Sequence, residues 1–182
     1  MIDKQTLILH ICCAPDATIA IHRLRDRFHL NGFFPNSNIH PQNEYDRRKK
    51  DAKRLCDQFA IDWVESEYDP ENWIEMVHGL ELEPEGGARC RACIHHNLLQ
   101  TILAAQKQSI SFFSTTLPTS PKKDLPMIQE LGETLAKERG MYFVFEPFRK
   151  KNGYLKSIQM SKEFQLYRQN YCGCIYSREA KT

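Results

Sequence analysis

The sequence predicts an α/β domain built on a parallel sheet flanked by helices. Three observations carry this: five short apolar or β-branched runs, helical patterns between them, and a length of 182 residues that suits a single domain. Hydrophobic residues make up 41% of the chain, which with glycine reaches the composition of a soluble globular protein and excludes disorder and fibrous repeats. A domain of this size folds without covalent staples. We therefore expect one domain over 1–182, with a C-terminal helical segment supplying the last cysteine pair.

The expected strands are 7–12, 31–34, 61–66, 110–115 and 141–145. Between the second and third, Ala52, Leu55, Cys56 and Phe59 recur at helical spacing and form one buried face, leaving Arg47, Arg48, Lys49, Lys50, Lys53 and Arg54 on the rest. Cys56 is thus a core residue. A helix begins beyond Asp69 with Pro70 at its first position, ahead of Trp73 and Val77. Another runs from Cys93 through Ile94, Leu98, Leu99 and Ile102. A third has Asp124 as N-cap, turns Met127, Ile128, Leu131 and Leu135 inward and stops at Gly140. The last is expected from Ser161 as N-cap, with Phe164, Tyr167 and Tyr171 inward, ending at Cys172-Gly173-Cys174. His22, His29 and His78 fall in helix-like segments.

Net charge is +2, too small to predict a polyanionic partner from the total. The longest apolar run near the N-terminus is far too short for a membrane span and lacks a signal peptide's basic flank. The expected location is the cytoplasm, without membrane association, where thiols stay reduced.

The cysteines carry the chemistry. Six of the seven fall into three tight pairs, Cys12-Cys13, Cys90-x-x-Cys93 and Cys172-x-Cys174. Adjacent and one-apart cysteines are badly directed for a relaxed disulfide, and chelation suits them better. Six thiols exceed what one four-coordinate ion needs, and Asp16, four residues after Cys12, adds a seventh candidate ligand. More than one metal ion follows, and thiolates select zinc, copper(I) or iron–sulfur chemistry. Alone, Cys90-x-x-Cys93 also fits half of a zinc site with His95 or His96, or an exchanging dithiol. The loop Cys12-Cys13-Ala14-Pro15-Asp16 has no glycine, loses a donor at Pro15 and carries an anion, which disfavours phosphate binding and nucleotide hydrolysis.

In open parallel sheets ligands sit beyond the carboxyl ends of the strands. Cys12 and Cys13 end the first strand, Thr115, Thr116 and Ser120 follow the fourth, and that rim is the expected site. His10 shares the face of Cys12. The polar run 36–45 beside the rim suits a substrate loop. Three basic runs, 47–54, Lys122-Lys123 and 149–151, point to RNA, with Tyr45, Phe148 and Tyr154 able to stack on an extruded base.

Five ordered segments add a resemblance that covers residues 7 to 177. They are Leu-His-Ile-Cys-Cys-Ala-Pro-Asp (9–16), Asn-Ile-His-Pro-Gln-Asn-Glu-Tyr-Asp-Arg-Arg (38–48), Glu-Gly-Gly-Ala-Arg-Cys-Arg-Ala-Cys (85–93), Ser-Thr-Thr-Leu-Pro-Thr-Ser-Pro-Lys-Lys (114–123) and Ser-Lys-Glu-Phe-Gln-Leu-Tyr-Arg-Gln-Asn-Tyr-Cys-Gly-Cys-Ile-Tyr-Ser (161–177). Together they resemble the QueH-type epoxyqueuosine reductases. The resemblance implies a Rossmann-like fold of the HUP type, related to the PP-loop enzymes. It implies a [4Fe-4S] cluster with a second mononuclear iron, and cobalamin-free reduction of epoxyqueuosine to queuosine at the wobble position of tRNA, using an external electron donor. Carried over by motif, Cys12, Cys13, Asp16, Cys90, Cys93, Cys172 and Cys174 are the metal ligands, undivided between cluster and iron, with Cys12, Cys13 and Asp16 also expected to be catalytic. His10, Glu44 and Tyr45 are candidate proton donors. Arg47, Arg48 and Lys122 are candidate phosphate contacts, and Thr115, Thr116 and Ser120 candidate substrate contacts. The rival readings are a zinc-stabilised RNA-binding module without redox activity and a thiol oxidoreductase.

Overall fold

The computed structural model describes residues 4–179. Strands β1 (Thr6–His10), β2 (His29–Phe33), β3 (Asp62–Val64), β4 (Phe112–Thr115) and β5 (Tyr142–Phe143) form one parallel sheet in the order β3-β2-β1-β4-β5. The order reverses between β1 and β4, which opens a crevice at their carboxyl ends. Helices α1 (Ala14–Leu24), α2 (Gln42–Gln58), α3 (Pro70–Met76), α4 (Ala88–Lys107), α5 (Leu125–Arg139), α6 (Gly153–Glu163) and α7 (Ile175–Glu179) complete the fold, with a 3-10 turn at Leu117–Thr119. None of the described helices is long and apolar enough to cross a membrane.

Period-two alternation in β1 divides the core. Leu7, Leu9 and Ile11 pack with Ala17, Ala20 and Leu24 of α1 and Ala52, Leu55 and Cys56 of α2. Ile8 points the other way, among Leu98 and Ile102 of α4 and Ile128 and Leu135 of α5. Both faces of the sheet are thus covered, as parallel strands require. The expected caps are present. Asp124 accepts from the Met127 N–H at 3.1 Å, Gly140 ends α5 at φ +64°, and Asp69 accepts from the Asn72 N–H at 3.1 Å ahead of Pro70.

Three expectations are corrected. β1 ends at His10, so Cys12 and Cys13 belong to the turn between β1 and α1 rather than to the strand. His29 opens β2, and His78 lies just beyond α3, so neither is helical. The helix expected from Ser161 to Cys172 is absent: Ser161 sits in the last turn of α6, Gln165 follows at φ +52°, and residues 166–174 form irregular chain. Helix α6 escaped hydrophobic periodicity because its buried face is made of Gly153, Ser157 and Ser161, while Leu155 points to solvent. These small residues let α6 lie close against α1. Gly153 has no room for a β-carbon, which would meet the Phe148 carbonyl oxygen.

Ser157→Leu is expected to overpack the α1–α6 contact and lower stability by about 1–3 kcal/mol, read as a lower urea midpoint with an unchanged slope.

Candidate metal and substrate site

The crevice holds the first group of ligand-type side chains. The turn after β1 is pinned from β4: the Thr116 N–H donates to the His10 carbonyl at 2.9 Å, and the Cys12 N–H donates to Thr116 Oγ1 at 3.0 Å. Cys13 is the N-cap of α1 but its side chain makes no capping bond, and Asp16 lies in the first helical turn beside Pro15. One ligand atom from each of Cys12, Cys13 and Asp16 lies within 4.8 Å of the others. The Cys12 thiol approaches Asp16 Oδ2 at 3.6 Å, and the Thr116 hydroxyl donates to Cys12 Sγ at 3.1 Å.

The other four thiols reach the same cavity from two directions. Cys90 and Cys93 lie in the first turns of α4, which starts five residues earlier than periodicity predicted. The Gly86 N–H donates to Cys90 Sγ at 3.2 Å. Cys172 and Cys174 arrive on the irregular segment after α6 and pack with Cys93 against Trp73 and Val77. Between them Gly173 adopts φ +113°, and a β-carbon there would lie 2.8 Å from Ile39 Cγ1. Only glycine fits that position. All seven cysteines are free thiols.

One buried cation holds the third pair in place. Arg48 is 2% exposed and its guanidinium donates to Glu44 Oε1 at 2.7 Å, to the Cys172 carbonyl at 2.9 Å and to the Tyr171 carbonyl at 3.3 Å. The His40 N–H donates to the Gly173 carbonyl at 2.9 Å, and the Tyr171 hydroxyl donates to the His40 carbonyl at 2.8 Å. The cysteine segment is thus fastened to α2 and to the loop after β2 by its backbone and the Tyr171 hydroxyl, leaving the thiols for the cavity.

The electrostatics of the cavity favour a cation. Cys12 is held well above its ordinary range by its hydrogen bond with Cys13, by burial and by the neighbouring Cys13 and Asp16 charges. Burial raises Asp16 to about 6. Burial and then Cys172 raise Cys93, and burial and then Cys172 raise Cys174. Burial alone would lower Lys123, but Cys172, Cys90, Cys93 and Glu85 outweigh it and hold the ammonium charged. These acids resist ionisation together, and a bound metal ion reverses each penalty. The buried Trp73 indole N–H has no oxygen or nitrogen partner and favours the charged form of Cys93. The donor set therefore fits thiolate-bound metal.

Several candidates lie elsewhere. Tyr45 is buried in the core, its hydroxyl 3.4 Å from the Phe34 carbonyl, and Phe148 is fully buried, so neither can stack on a base. Glu44 pairs with Arg48 and Tyr167 outside the cavity. The basic run on α2 is largely spent within the protein: Arg47 stacks on Tyr167 at 3.5 Å, Lys49 and Lys53 pair with Glu65, and Arg54 holds the carbonyls of Phe164 and Gln165. Arg149 likewise caps the carbonyls of Ser120, Pro121 and Lys123. Thr115 and Thr116 bond to His10 and Cys12 rather than lining the cavity. His10, Ser120 and Lys122 do line it.

His10 is nevertheless no proton donor. The Asn36 amide donates to the Ile11 carbonyl at 2.7 Å, so its oxygen faces His10 Nε2 at 3.1 Å and must accept from it. His10 Nδ1 then accepts from the Thr115 hydroxyl at 2.8 Å, and both ring nitrogens are used. Sequence reading missed Asn97, Arg168 and Gln169, which also line the cavity. Of these, only Asn97, one helical turn after Cys93, left a sequence signal.

The sheet order and the thiol-lined cavity at its reversal define a Rossmann-like α/β protein with two cysteines in its first strand-to-helix turn. Solved structures with this fold include the U34-tRNA thiolase NcsA from Methanococcus maripaludis with its [4Fe-4S] cluster (TM-score 0.63, 12% identity, 96% of this chain and 62% of that one). Another is a predicted subunit of tRNA methyltransferase from Methanocaldococcus jannaschii (TM-score 0.56, 12% identity, 87% and 75%). The sequence model described as Epoxyqueuosine reductase QueH matches residues 7–180. Curated relatives of that name include those of Thermotoga maritima, 39% identical over 94% of this chain and 90% of the relative, and Streptococcus pyogenes, 34% identical over 96% and 71%. The chain belongs to the epoxyqueuosine reductase QueH family.

Arg48→Met strands Glu44 and two carbonyls, and is expected to cost about 3–5 kcal/mol, measured as a lower denaturant midpoint. A second expectation concerns pH. Burial lowers His10 from 6.5 to about 4, only partly offset by Asn36, so between these values the unfolded chain holds the proton that the folded chain refuses. The stability contribution is complete above pH 6.5 and is lost as pH falls towards 4. His10→Gln should flatten that part of the stability–pH curve.

Proposed function

We propose that the cavity lined by the six paired cysteines and Asp16 is the centre at which this chain acts as an epoxyqueuosine reductase on tRNA, taking electrons from an external donor in the cytoplasm. The convergence of seven metal-type ligands from three parts of the chain on one cavity carries this reading. Cys90, Cys93, Cys172 and Cys174 would hold a [4Fe-4S] cluster, because Cys93, Cys172 and Cys174 pack together and Cys90, like Cys93 and Cys172, lies near the Lys123 ammonium. Cys12, Cys13 and Asp16 would hold a second, mononuclear iron, because their ligand atoms form a separate close group. The fold neighbour that carries a [4Fe-4S] cluster supports iron–sulfur binding by a chain of this fold.

Turning the epoxide into an alkene breaks two C–O bonds, and the oxygen leaves as water with two electrons and two protons. Iron–sulfur chemistry supplies those electrons singly when bound, which no side chain here can do. The protein's own groups do the rest. Tyr154 lines the cavity and is the donor we assign in place of His10, Glu44 and Tyr45, while the Lys123 ammonium, held charged by the thiols around it, balances their charge. Lys122 and Arg168 stand at the cavity with exposed residues and suit phosphates of the anticodon loop, while the base is turned inward.

Anaerobically prepared protein is expected to contain iron in excess over acid-labile sulfide and to reduce epoxyqueuosine in tRNA. Asp16→Ala should lose the excess iron, keep the sulfide and stop turnover. Zinc without sulfide after anaerobic reconstitution would instead favour the RNA-binding module. Lys122→Ala should weaken tRNA binding and reduce the slope of log affinity against log salt by about 1.

A further inference from the structure

Helix α3 buries a single side chain, Trp73, which is 0% exposed and lies in one packed cluster with Cys93, Cys172 and Cys174. Its indole N–H is buried, and no oxygen or nitrogen accepts from it; the His40 ring, 5.5 Å away and tilted by 49°, does not. A buried indole N–H ordinarily finds an acceptor, and one left unpaired is costly. The acceptor within reach here is the sulfur of Cys93. Other thiols of the same group are approached in the same way. The Gly86 N–H donates to Cys90 Sγ at 3.2 Å, the Asn97 amide donates to Cys93 Sγ at 3.7 Å, and the backbone N–H groups of Tyr176 and Ser177 hydrogen-bond to Cys174.

Sulfur is a weak acceptor as a thiol and a stronger one as a thiolate, so these bonds strengthen as negative charge builds on the sulfur. Where cysteines hold a cluster, an electron added from the external donor increases that charge, and hydrogen bonds to the sulfurs help to set the reduction potential. Among these donors Trp73 is the side chain with no other acceptor, since the Asn97 amide also donates to Asn38 Oδ1 and to the Cys93 carbonyl. We propose that Trp73 is a redox-tuning residue, whose indole N–H donates to the Cys93 thiolate, orients that ligand and raises the reduction potential of a cluster held by Cys90, Cys93, Cys172 and Cys174. It positions a ligand and takes no part in proton transfer. The assignment rests on the reductase reading above.

The test is a redox titration of the full chain, reconstituted anaerobically and followed by electron paramagnetic resonance. Trp73→Phe keeps an aromatic ring in place and removes the donor. Replacement of Trp73 by 3-benzothienylalanine keeps the shape of the indole with sulfur in place of the N–H, and carries the test if Trp73→Phe fails to fold or to load. Trp63→Phe is the control, because Trp63 packs on the other face of the sheet among the α1 and α2 contacts. At iron and sulfide contents equal to wild type, each Trp73 variant is expected to lower the ratio of reduced to oxidised cluster about tenfold at a fixed potential, a midpoint about 59 mV more negative for one electron. The Fe–S(Cys) stretching frequency in resonance Raman spectra should rise in the same variants, and Trp63→Phe should change neither reading. An unchanged midpoint in a loaded Trp73 variant, or an equal shift in Trp63→Phe, would overturn the tuning role while epoxide reduction by the wild type leaves the reductase reading intact. A wild type that holds no sulfide after reconstitution would overturn both.

Discussion

The buried guanidinium of Arg48 is the contact on which the site depends. Two of the three cysteine pairs sit where regular structure begins, at the N-termini of α1 and α4, and the parallel sheet brings those helix starts to one rim. The third pair has no such placement, because residues 166–174 are irregular. Arg48 supplies it by donating to the carbonyls of Tyr171 and Cys172 from a helix on the opposite side of the loop after β2. A charged donor bonded to main-chain carbonyls fixes the path of the segment without using its side chains. Glu44 balances the charge, which makes the burial of a guanidinium tolerable.

This arrangement changes the meaning of the basic residues. The run at 47–54 has the look of a phosphate-binding stripe, yet most of its members hold β3, the end of α6 or the cysteine segment. Arginine suits that work because its planar fork reaches two or three carbonyls at once, as Arg48, Arg89 and Arg149 each do. The exposed positive charge at the cavity is instead that of Lys122 and Arg168, while Lys123 is turned among the thiols.

The histidine at the end of β1 illustrates how burial decides chemistry. His10 lies beside the thiols, where a proton carrier would be useful. Full burial lowers its affinity for a proton, and the oriented Asn36 and Thr115 partners consume both nitrogens. It serves instead to tie β1, β4 and the loop after β2 together directly behind Cys12.

Much of the fold and the candidate ligands could be read from the residues. Hydrophobic period and cap chemistry are local, so the alternation of strands and helices, Asp69, Asp124 and Gly140 were legible, as was the pairing of the cysteines. Local signals fail where burial is achieved by small or polar groups. Gly153, Ser157 and Ser161 bury a helix without apolar periodicity, and the supposed helix after Ser161 is irregular chain. They fail also where a charge is spent far away in sequence, as when Arg48 binds the carbonyl of Cys172. The sequence by itself determined that thiols and a carboxylate are present in a pattern suited to metal. Only the tertiary structure decided that they line one cavity and which basic residues are spent on contacts within the protein, because those depend on contacts between segments that the chain brings together only on folding.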